Sequence, residues 1–76
     1  MEVQTFPDSQ HGLVDRVERM VRQRTSGLIR DLHVEVFSGE MIISGRTSTY
    51  YNKQLASHAA MDACANIALV NDIEVL

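Results

Sequence analysis

The stretch Val34-Glu35-Val36-Phe37-Ser38-Gly39-Glu40-Met41-Ile42-Ile43-Ser44-Gly45 limits what this chain can become more than any other. Apolar and polar residues alternate on both sides of Ser38-Gly39, the period of two that a half-buried strand requires. A Ser-Gly pair between two such runs predicts a tight hairpin, because glycine takes a positive φ at no steric cost. Strand one places Leu32, Val34 and Val36 on one face and His33, Glu35 and Phe37 on the other. Strand two points Met41, Ile43 and Gly45 inward and Ile42, Ser44 and Arg46 outward. Gly45, without a side chain, predicts a helix lying close against the sheet.

Helical spacing flanks the hairpin. Leu13, Val14, Val17, Met20, Val21 and then Leu28 fall three and four residues apart, one apolar stripe. Asp8 or Ser9 suits the start of this helix and Gly27 the left-handed position past its end. Asp15–Arg19 and Glu18–Arg22 are acid-before-base pairs at i,i+4 on its outer face. After the hairpin, Ser48 or Thr49 caps a second helix with an inner stripe of Leu55, Ala56, Ala59, Ala60, Ala63, Cys64 and Ile67. Lys53, Gln54, Ser57, His58 and Asp62 face water, and Asn66 ends it. A last strand, Leu69 to Val75, turns Ile73 and Val75 inward and Asp72 and Glu74 outward. The predicted architecture is α+β: α-β-β-α-β, with two helices on one face of a three-stranded sheet. Residues 1–8 carry no period and read as a flexible lead-in; 9–76 form a single domain.

Composition excludes several classes. The formal charge is −3, so nucleic acid is not the expected partner. Yet five of the seven basic residues (Arg16, Arg19, Arg22, Arg24, Arg30) fall in one short segment. No window approaches about 18 apolar residues, and the first residues lack the basic start and apolar run of a signal peptide. As written, the chain is expected in the cytoplasm, or in the envelope or periplasm if an upstream segment is removed. A lone cysteine, Cys64, forms no internal disulfide and reads as an inert core thiol on the buried helical stripe.

No catalytic pattern emerges. His58 and Asp62 share a helix face at i,i+4, but two ligands do not make a zinc site, and His11 and His33 belong to other elements. No nucleophile elbow, H-E-x-x-H or phosphate-cradling glycine loop is present. The expectation is a non-enzyme with neither metal nor cofactor. Candidate contact residues are therefore surface ones. Phe37 and Ile42 point away from the helices beside the hairpin turn, Tyr50 and Tyr51 open helix two, and Arg16, Arg19 and Arg22 form a strip on helix one.

With its elements in this order, the chain resembles a BON domain, a small module of bacterial envelope proteins. The matching positions run through residues 13–76. Gly39, Met41, Ile43 and Gly45 fit the family's turn glycine and V-x-L-x-G strand. Ser48, Lys53, Ala56 and Ala60 fit its Ser-led, Ala-rich helix. Ile67, Val70, Asn71, Ile73 and Val75 fit its closing run. Asn66 stands where the family has glycine, and it can keep the left-handed turn. The resemblance implies a third strand parallel to the second and a non-catalytic binding module, with phospholipid membranes as the usual partner. A protein partner or an anionic membrane surface is thus expected. The alternative is a structural domain that self-associates, as a homodimer, through its exposed sheet face.

Overall fold

A computed structural model describes residues 8–76, with side chains from Gly12 onward. The order is α1 (Asp8–Arg24), β1 (Arg30–Phe37), β2 (Glu40–Thr47), α2 (Tyr50–Ala63) and β3 (Ala68–Val75). It is the expected α-β-β-α-β arrangement. The sheet runs β1-β2-β3, with β1 antiparallel and β3 parallel to β2. α1 already begins at Asp8, the last residue assigned to the lead-in. Residues 1–7 and the capping side chains of Asp8 and Ser9 lie outside the described residues.

The hairpin forms as its residues dictate. Phe37 pairs with Glu40, and the two residues between them, Ser38 and Gly39, have φ of 52° and 77°. Positive φ at both central positions is the requirement of a type I′ turn, whose twist matches the strands it joins. Leu32, Val34, Met41, Ile43 and Ile73 are buried on one sheet face against Val17 and Val21 of α1 and Ala56, Ala59 and Ala60 of α2. α1 packs chiefly on α2 and on β1, while α2 covers β3 and β2. The alanines let α1 and α2 approach closely, and the sheet's branched side chains and Met41 supply the bulk of the core.

Several local expectations are corrected. Leu28 is 57% exposed, and the α1 stripe ends instead in Thr25, which is buried and donates its hydroxyl to Val21 O. The chain reverses in a Schellman motif: Gly27 N donates to Arg22 O and Ser26 N to Gln23 O. Gly27 takes the expected left-handed conformation, with φ of 73°, and Ser26 before it, with φ of 55°, takes it too. Ile29, the residue after Leu28, is buried in this loop, as Thr25 is.

The close approach at Gly45 is made by strand backbone, not by a helix. A Cβ there would lie 2.8 Å from Arg30 O and 2.8 Å from Ile29 Cγ2. The β1–β2 register shifts between Arg30 and His33, and this irregularity presses β1 onto Gly45. Asp31, inside it, has φ of 54°, and its carboxylate accepts from the Arg46 guanidinium.

α2 is capped by Thr49, not Ser48: its hydroxyl accepts from Asn52 N. The helix ends at Ala63, three residues before Asn66, with Cys64 as its C-cap. Asn66 is exposed and is not among the residues of positive φ. Cys64 is half-buried against the core rather than on an enclosed helical stripe. Lys53 and Ser57 are half-buried rather than open to water, because Asn71 of β3 donates to Lys53 O and Ser57 Oγ. Val75 shares its register with buried Thr47 but is itself 39% exposed, beyond the cover of the helices.

Candidate functional site

With both helices on one side, the other face of the sheet is bare. It carries His33, Glu35 and Phe37 from β1, Glu40, Ile42, Ser44 and Arg46 from β2, and Ala68, Val70, Asp72 and Glu74 from β3. The strand period puts them there: every second residue of each strand points away from the core. Phe37 is 66% exposed and Val70 38%, while Ile42 is half-buried between its strand neighbours. In register Ile42 lies beside Val70 on one side and Glu35 on the other, and Phe37 lies diagonally from Ile42 across the hairpin. Phe37, Ile42 and Val70 thus form one apolar patch at the hairpin end of the face. Val70 carries no sequence signal as a contact residue, because by itself it is only one position of a closing strand. Its parallel partner, Ile42, emerges from the register alone.

The other expected contacts lie elsewhere. Tyr50 and Tyr51 are exposed in the first turn of α2, just past the end of β2. Phe37 ends β1 opposite Glu40, the first residue of β2, so the length of β2, roughly 23 Å at its usual rise, separates them. Arg16, Arg19 and Arg22 are on α1, in the helical layer behind the sheet. Arg19 Nη2 lies 3.2 Å from Asp15 Oδ2, and Arg22 Nη2 lies 2.6 Å from Glu18 Oε2. These are the two i,i+4 pairs the spacing predicts, and they spend much of the arginines' charge locally. The seven candidates therefore occupy three separate surfaces.

A shallow cavity of about 380 Å³ opens between the α1–β1 loop and the end of β2, lined by Leu28, Arg30, Arg46, Thr47, Ser48 and neighbouring residues. Two of its polar side chains, Arg46 and Thr47, are already engaged. Asp31 holds Arg46, and Thr47 Oγ1 donates to Leu28 O while accepting from Asn52 Nδ2. Sequence reading did not find this relay, which joins loop, strand and helix. Its polar members are far apart in the chain and carry no motif.

His58 and Asp62 are both exposed on α2, and Asp62 accepts from Arg24 Nη2 of α1 at 2.9 Å. Among the described residues no group of three or more His, Cys, Asp or Glu is placed to hold a metal ion. No described helix is long and apolar enough to cross a membrane. Compared with family models and with curated proteins, the chain finds no match.

Proposed function

We propose that this chain is a non-catalytic binding module of BON type that docks on a partner protein through the bare face of its sheet. The observation that carries this reading is the exposed patch of Phe37, Ile42 and Val70, with no element of the described residues over it. Large apolar side chains gathered on a small sheet mark interaction surfaces more often than scattered ones do. The element order and the parallel pairing of β2 with β3 agree with what the BON resemblance implies for the fold. Tyr50, Tyr51 and the α1 arginines are auxiliary contacts at most, since each set faces a different direction from the patch.

The test compares variants of the immobilised chain as bait. Phe37→Ser with Ile42→Ser abolishes capture of the bound protein, whereas Tyr50→Ser and Arg19→Glu retain it. Capture that survives the double substitution ends the proposal. Sedimentation at two concentrations and flotation with phosphatidylglycerol vesicles examine the other occupants. A dimer that Phe37→Ser dissolves would transfer the role to self-association, and flotation that Phe37→Ser abolishes would transfer it to a membrane.

A further inference from the structure

We infer that the partner of the bare sheet face is a basic protein segment carrying an apolar anchor, rather than an anionic bilayer or a second copy of this chain. The inference rests on the docking reading above and adds the chemistry of the occupant. It comes from where charge falls around the patch. Glu40 lies opposite Phe37 in register, Glu35 lies opposite Ile42, and Asp72 follows Val70 on the same face of β3. All three are exposed. Each apolar member therefore has a carboxylate as its immediate neighbour. His33 Nε2 lies 2.9 Å from Glu35 Oε1, leaving the ring on the same side of the sheet.

The arginines of this face are at its far end. Arg30 and Arg46 face each other across the β1–β2 pairing, with Glu74 beside Arg46 and Asp31 bonded to it. Arg46 lies six positions beyond Glu40 along β2, roughly 20 Å at the strand rise. That is more than twice the screening length of about 8 Å at physiological salt. Glu40, and Glu35 opposite Ile42, thus keep the hairpin end of the face acidic, while Asp72, opposite Ser44, lies nearer the arginines.

This arrangement selects among occupants. An anionic bilayer would meet Glu35, Glu40 and Asp72 first, whereas lipid-binding surfaces present Lys and Arg beside their apolar contacts. A second copy laid patch on patch would set the two rings of carboxylates against each other, and like charges opposed in an interface are costly. Sliding one copy to bring its acids over the other's Arg30 and Arg46 would take the apolar patches apart. A segment alternating Lys or Arg with an aliphatic side chain satisfies both requirements at once: the aliphatic groups cover Phe37, Ile42 and Val70, and the cations reach the flanking carboxylates.

Two synthetic ten-residue peptides test this, one alternating Lys with Val and the other Glu with Val, each titrated into the full chain while backbone amide shifts are followed. The Lys peptide is expected to shift Phe37, Ile42 and Val70, with the Glu peptide binding far more weakly. Glu40→Lys is expected to weaken the Lys peptide by about threefold or more, at the upper part of what one exposed ion pair contributes. Asp72→Lys supplies an independent check on a different strand. Asp15→Lys changes the net charge equally but lies on α1, and it is expected to leave the affinity within about twofold. If both peptides shift the three patch residues equally, docking on this face stands and the charge inference falls. The charge inference falls also if Asp15→Lys weakens binding as much as Glu40→Lys, because the field would then be global. If neither peptide moves the patch residues, the docking reading fails with it.

Discussion

Gly45 and Thr47 show how single side chains of β2 organise the molecule. At Gly45, φ is 151°, a value L side chains rarely adopt, and a Cβ would press on the backbone oxygen of Arg30. Gly45→Ala should therefore cost roughly 1–3 kcal/mol from backbone conformation, with steric displacement of β1 in addition. The denaturation midpoint in urea should fall, and the β1 amides should exchange faster with solvent. Thr47 is buried and holds both Leu28 O and the Asn52 amide. Thr47→Val keeps the shape and strands both partners, a loss of about 1–3 kcal/mol. An unchanged urea midpoint for Thr47→Val would refute the structural weight given to this relay.

Among the elements, α2 is tied to its neighbours at three places. Thr49 begins it, the relay through Asn52 and Thr47 ties its first turn to β2, and Asn71 ties its middle to β3. Asn71 also folds back to accept from Ile73 N, so one amide serves the helix and its own strand. Asn71→Leu should destabilise the fold by about 1–3 kcal/mol, since Lys53 O and Ile73 N lose their partner in a half-buried place. Ala59, on the inner side of α2, is fully enclosed in the core. Ala59→Leu forces extra volume between packed elements and should cost about 1–3 kcal/mol, measured as a lowered Tm. Leucine accepted at 59 without a drop in Tm would mean that the core is not closely packed around it.

For the whole molecule, the division into a covered and a bare sheet face governs both stability and the proposed role. Phe37 lies outside the core, so Phe37→Ser should change stability by no more than about 0.5 kcal/mol, the usual range for surface substitutions. The same substitution should remove partner binding. A large loss of stability on Phe37→Ser would show that the residue is sequestered, contrary to its position on the bare face.

Much of this was legible in the residues themselves. The alternation of Leu32-Val34-Val36 and Met41-Ile43, the Ser38-Gly39 turn and the alanine spacing of α2 are local signals, because strand pleat and helix pitch repeat within a few residues. They determined element order, the inward and outward sets and the exposure of Phe37. Other features depend on residues brought together from distant parts of the chain. Nothing near Gly45 in sequence reveals that Arg30 backbone abuts it, and nothing near Val70 reveals Ile42 beside it. The apolar spacing of α2 runs past its end, because Cys64 and Ile67 continue it although the helix has stopped, and both still pack on the core from the loop. Which candidate contacts share a surface was likewise a tertiary matter. Periodicity states the side of an element a residue occupies, while register and the crossover from β2 through α2 to β3 set what lies next to it.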